Sequence, residues 1–82
     1  MKREEIENIV NHFLIEEIEI EENLITEDAL LKEDLGIDSL DFVDIVVIVE
    51  HHFGFKIKAE EMRNIKTLNQ FYSYIEEKNS KK

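Results

Sequence analysis

The stretch Asp34-Leu35-Gly36-Ile37-Asp38-Ser39-Leu40-Asp41, followed by an apolar run over 42–49, decides how this chain is organised. Gly36 is one of only two glycines and breaks the chain just ahead of a helix start. Asp38 is suited to accept hydrogen bonds from the first free backbone N–H groups, and Asp41 three residues on completes an acidic variant of a capping box. Ser39 then falls in the first helical turn, its hydroxyl facing solvent and the positive end of the helix dipole. A phosphate on that oxygen would sit in a favourable field.

Working outward, the second helix is expected over about 39–53, stopped by Gly54 as a C-terminal cap. Val46-Val47-Ile48-Val49 is β-branched and favours strand by propensity. The start signal, the length and the glycine stop outweigh it. Upstream, 2–17 carries Ile6, Ile9, Val10, Phe13 and Leu14 at helical spacing between acids, an amphipathic first helix. Between the two lies a long loop, expected to be anchored by Leu24 and Ile25, with a short helical turn over 26–31. Downstream, 55–58 reads as an extended connector and 59–64 as a short helix with Ile57, Met62 and Ile65 on its buried side. Thr67-Leu68-Asn69-Gln70 is a capping box opening a last helix whose apolar face is Leu68, Phe71, Tyr72 and Ile75. The fold class is therefore all-α: a small four-helix bundle, three longer helices and one short, with a long loop between helices one and two.

Composition narrows the function classes. Eighty-two residues with 43% hydrophobic content supply one modest core. No cysteine is present, which removes disulfides and thiolate metal sites. No run of about 18 apolar residues and no basic-then-apolar leader is present, so neither a membrane span nor a signal peptide is expected, and the cytoplasm is the default compartment. Twenty acids against ten bases give a formal charge of −10. That balance disfavours nucleic acid and favours basic protein partners met by electrostatic steering. It also implies self-repulsion, so added salt should raise the melting temperature; a flat response in thermal melts would count against a dense acidic face.

On a helical wheel the second helix has two faces. Phe42, Ile45, Val46, Val49 and Phe53 share a core sector, whereas Leu40, Val43, Asp44, Val47, Glu50 and His51 fall on a sector about opposite. The second sector is either a solvated face with stray apolar residues or a docking strip in which carboxylates steer a partner and Leu40, Val43 and Val47 anchor it. Ser39 borders this strip.

Asp38-Ser39-Leu40, preceded by Asp34-Leu35-Gly36 and followed by an acidic, apolar-rich helix, resembles the phosphopantetheine attachment region of acyl carrier proteins. The resemblance covers nearly the whole chain, with 1–78 as the carrier-type domain and 79–82 as a frayed tail. It implies that Ser39 accepts a 4′-phosphopantetheine group from coenzyme A through a phosphopantetheinyl transferase. The chain would then carry acyl groups as thioesters on a flexible arm, presenting them to fatty-acid or polyketide-type enzymes such as acyltransferases and ketosynthases. It further implies that Asp38, Leu40, Asp41, Val43, Asp44, Val47 and Glu50 meet basic patches on those enzymes, with the chain a monomer and no catalyst. Against the family's pattern, His51 and His52 make the lower strip less acidic, Lys56 and Lys58 interrupt the connector, and Phe42 and Ile48 are bulky where smaller residues are common. If they point inward they would narrow an acyl cavity, suggesting a carrier dedicated to one pathway.

The residues also bear on catalysis and on metal binding. His51 lies twelve residues along the helix from Ser39, about 18 Å away, too far to act as its base. His51 and His52 project about 100° apart and cannot share one ion as a simple pair, and no Asp-x-Asp-x-Asp-Gly calcium loop is present, so no metal site is expected. Two alternatives remain open: an aminoacyl or peptidyl carrier of a nonribosomal pathway, and an unmodified acidic helical interaction module in which Ser39 is an ordinary helix-start residue.

Overall fold

A computed structural model describes residues 2–80 of the chain. Four helices follow in order: α1 over Arg3–Glu16, α2 over Ser39–Phe53, α3 over Ala59–Met62 and α4 over Leu68–Ser80. Helix α1 packs on α4, and α2 on α3. The expected apolar faces supply the core: Ile6, Val10, Phe13 and Leu14 from α1, Ile45, Val49 and Phe53 from α2, and Leu68, Phe71, Tyr72 and Ile75 from α4. Ile57, Met62 and Ile65 close it as expected, with Ile57 and Ile65 flanking the short α3. No buried side-chain polar atom lacks a hydrogen bond among the described residues.

Both glycines stand where the chain needs a left-handed residue. Gly54 (φ 78°) caps α2, donating its N–H to the Glu50 carbonyl at 2.9 Å. Gly36 (φ 70°) turns the chain into α2, and a Cβ placed there would meet nothing within 4 Å. Gly36→Ala should therefore cost only the backbone penalty, about 1–2 kcal/mol, read as a lower denaturant midpoint at unchanged slope.

The loop differs from expectation in three ways. Its helical piece is a 3₁₀ turn at Glu22–Leu24, whereas 26–31 forms turns and one isolated antiparallel bridge between Leu30 and Thr67. Leu24 is 41% exposed, so the loop is anchored instead by Ala29, Leu31, Leu35 and Ile37, with Ile25 half-buried. Backbone bonds tie it to the start of α4: Leu31 donates to the Lys66 carbonyl (2.9 Å), Leu68 to Ala29 (3.0 Å) and Asn69 to Glu27 (3.0 Å). These distant pairings satisfy loop groups that would otherwise be unpaired. Helix α3 is shorter than expected, its last turn relaxing into a turn at Arg63–Asn64. Helix α4 runs through Asn79 and Ser80, the first two positions of the expected tail, and Lys81 and Lys82 lie outside the described residues.

Arg3 joins the two ends of the chain. Its guanidinium donates to Glu7 (3.0 Å), Ser73 (3.1 Å), Glu76 (3.3 Å) and Asn69, and lies 5.4 Å from the centre of the Tyr72 ring. The Tyr72 hydroxyl donates to Asn11, and burial pushes its pKa up to about 12 from an ordinary 10. A phenol that holds its proton more tightly when folded contributes stability that is complete below pH 10 and lost as pH rises toward 12. Melting temperature should fall across that window, and less steeply in Tyr72→Phe; parallel curves would show that Tyr72 is not responsible.

On the far side, the Tyr74 hydroxyl donates to Glu61 at 2.6 Å, and Lys78 lies 3.6 Å from the same carboxylate, linking α3 to α4. The Tyr74 bond, with smaller help from Lys58 N–H and Lys78, holds the Glu61 carboxyl below its ordinary range. Burial and that same carboxylate push the Tyr74 phenol up.

Candidate functional site

The start of α2 is built as its residues require. Asp38, in extended conformation, accepts from Leu40 N–H at 3.0 Å and Asp41 N–H at 3.1 Å, and the Asp41 carboxylate accepts in return from Asp38 N–H at 3.2 Å. The acidic capping box is thus complete. Capping the helix occupies Asp38, which leaves Ser39 free of that task. Ser39 is exposed in the first turn, and its hydroxyl makes no hydrogen bond among the described residues.

The approach to Ser39 is held by a residue whose part the local pattern did not disclose. Asp34 accepts from Leu30 N–H at 2.8 Å, while Asp34 and Leu35 N–H both return to the Leu30 carbonyl. Ile37 N–H bonds the Leu31 carbonyl at 2.9 Å, and Leu35 and Ile37 are buried. The Asp-Leu-Gly segment is therefore a closed turn with two apolar pegs in the core, presenting Asp38 and Ser39 at the surface.

Along α2 the outward sector is open to solvent over its length. Leu40 is 79%, Val43 58% and Val47 61% exposed, and Asp44, Glu50 and His51 are exposed beside them. Three bare aliphatic side chains flanked by carboxylates on one face suit a partner with an apolar centre and a basic rim. Asp38 lies at the top of this face; Asp41 is half-buried and turned toward the cap. His52 leaves the strip and stacks on Phe13, ring centres 6.1 Å apart and planes within 10°.

The inward sector needs a correction. Ile45, Val49 and Phe53 are buried, but Phe42 and Val46 are only half-buried, as is Ile48. Phe42 lines an open cleft of about 300 Å³ together with Leu31, Lys32, Glu33, Arg63, Ile65 and Lys66. Ile48 packs at the core margin and is not part of that lining.

An unengaged serine hydroxyl on the first turn of a fifteen-residue helix, beside an open acidic–aliphatic face, is the chemistry of an attachment point. A phosphodiester there would lie at the positive end of the helix dipole, on an oxygen that no neighbouring group engages, so the residues present fit such a group. Comparison with known proteins gives the class: the phosphopantetheine attachment site family matches residues 10–75. Similar proteins include the acyl carrier protein of Thermotoga maritima, 42% identical over 76 residues, 93% of this chain and 94% of that one. The acyl carrier protein of Coprothermobacter proteolyticus is 38% identical over 93% of both chains, and that of Buchnera aphidicola 35% over 94% of this chain and 96% of its own. The chain belongs to the acyl carrier protein family, and its cofactor is 4′-phosphopantetheine. Among the described residues no helix is long and apolar enough to cross a membrane.

Proposed function

We propose that Ser39 is the acceptor of the prosthetic group and that the chain is a non-catalytic carrier serving fatty-acid or polyketide-type synthesis. The observation that carries this is the Ser39 hydroxyl, exposed and unbonded while Asp38 caps the helix. In loading, Ser39 Oγ forms one bond to the phosphorus of the pantetheine side of coenzyme A. The pyrophosphate P–O bond breaks, adenosine 3′,5′-bisphosphate leaves with the electron pair, and the hydroxyl proton passes to a base of the transferase. When attached, the group supplies a terminal thiol that holds acyl cargo as a thioester.

The chain's own residues then orient and present. The capping box keeps Ser39 at the surface, and Leu40, Val43 and Val47 offer anchors to the enzyme served. Asp38, Asp41, Asp44 and Glu50 steer basic patches toward it, raising encounter rates more than final affinity. Tethering raises the effective concentration of cargo at whichever enzyme is docked. Coenzyme A as the donor supports a cytoplasmic setting, and the open outward face of α2 supports a chain that meets its enzymes as a monomer. The relatives' shared name favours acyl over aminoacyl or peptidyl cargo.

Intact mass spectrometry after incubation with coenzyme A and a broad-specificity phosphopantetheinyl transferase tests the reading. A gain of one phosphopantetheine is expected. No gain by a protein shown to be folded would return the chain to an unmodified interaction module.

A further inference from the structure

The chain's three histidines gather at the seam between α1 and α2. His12 from α1 and His52 from α2 open on one recess of about 320 Å³, whose other walls are Asn8 and Ile9. His51 stands to one side, its ring edge-on to that of His52 with centres 5.4 Å apart. The His52 ring lies flat against Phe13, which is fully buried, so the core itself holds that imidazole at the seam. None of the three imidazoles makes a hydrogen bond or an ion pair among the described residues, although the chain has twenty acids.

Exposed imidazoles with unengaged nitrogens are ligands for borderline divalent metals. The net charge of −10 draws such cations to the surface and raises their local concentration. Carboxylates alone favour calcium or magnesium, whereas two imidazoles at one recess favour zinc. Spacing along α2 supplies no site, because His51 and His52 project about 100° apart. Closure of the bundle supplies His52 with a different companion, from α1. No group of three imidazoles or carboxylates is placed to hold an ion among the described residues. The recess therefore offers two protein ligands, and water completes a tetrahedral ion. Both rings are exposed, so each can turn about its side-chain torsions to aim a nitrogen at a shared ion.

We propose that His12 and His52 form a two-imidazole site for a zinc-like divalent cation that ties α1 to α2. Helix α1 packs mainly on α4 and α2 on α3, so an ion across the seam joins the two pairs. Binding to the folded chain then stabilises it by mass action. The site does not depend on the carrier reading: His52 is thirteen residues along α2 from Ser39, about 20 Å away.

The test uses the full, tag-free chain at physiological ionic strength, with zinc chloride or calcium chloride at equal concentration. Thermal melts, the ring C–H resonances of the three histidines, and zinc affinity by competition with a chromogenic chelator are measured. Zinc is expected to raise the melting temperature more than calcium, which only screens the acids. It should also move the ring resonances of His12 and His52 more than those of His51. His12→Gln, which leaves the stack on Phe13 in place, should weaken zinc binding by at least about tenfold, the cost that even the loss of an outer partner carries. Its melting response to zinc should fall to the calcium level, while His51→Gln keeps the response of the parent. Equal responses of the parent to zinc and calcium, or undiminished zinc affinity in His12→Gln, would overturn the site by assigning the metal to carboxylates. A zinc effect that grows with protein concentration, with a dimer in sedimentation, would overturn it too, by placing the ion between two chains.

Discussion

Ser39→Ala is expected to abolish loading completely while leaving the domain as stable as its parent. The two outcomes separate because the helix start does not depend on Ser39. Asp38 supplies the side-chain cap, with Asp41 closing the box from the other side, and the serine hydroxyl contributes no hydrogen bond within the described residues. Alanine is a better helix former than serine, and at an exposed first-turn position the net change should stay within about 0.5 kcal/mol. Loading has no such tolerance, since without Oγ no bond to phosphorus can form. Mass spectra and thermal melts of the two proteins side by side decide it. Residual loading of the variant would mean that another hydroxyl, such as Ser73, is the acceptor, and unfolding would mean that Ser39 caps the helix after all.

Phe13→Ala is expected to have the largest effect on stability. Phe13 is fully buried in α1, and the His52 ring covers it from α2, so its removal empties the junction between helices. Cavity formation at such a position costs about 3–5 kcal/mol. A domain of this length has roughly 4–12 kcal/mol in total at the usual stability per residue. The variant should therefore unfold in part near physiological temperature, seen as a lowered denaturant midpoint and loss of far-ultraviolet helix signal on mild heating. A loss below about 1 kcal/mol would show that the surrounding helices collapse into the space. Because the attachment site is on another element, any fraction that remains folded should still accept phosphopantetheine on Ser39.

The two experiments address different parts of one design. The core holds α1 and α4 together, while the closed turn at 34–37 and the capping box leave Ser39 exposed at its surface. Exposed apolar residues at Leu40, Val43 and Val47 raise the risk of self-association, and the high negative charge opposes it.

What the sequence by itself determined is whatever depends on neighbours a few residues apart. The capping box of Asp38 and Asp41, the exposed Ser39, the glycine stop at Gly54, the Thr67–Gln70 box and the two faces of α2 all follow from helical geometry and local hydrogen bonding. Tertiary structure alone decided the path of the loop and the surroundings of the inward face. Leu24 stayed outside because the space against α4 was taken by Ala29 and Leu31, drawn in by backbone bonds to residues near 66–69. Arg3 became a clamp across 66 to 73 positions of chain, through partners that no local spacing announces. The cleft beside Phe42 has the same origin. Lys32 and Lys66 are 34 positions apart, and the backbone pairing of the loop with the start of α4, Leu31 with Lys66 among it, brings them to one opening. Local periodicity fixes which way a side chain leaves its helix; which distant charge it then meets is settled by chain closure.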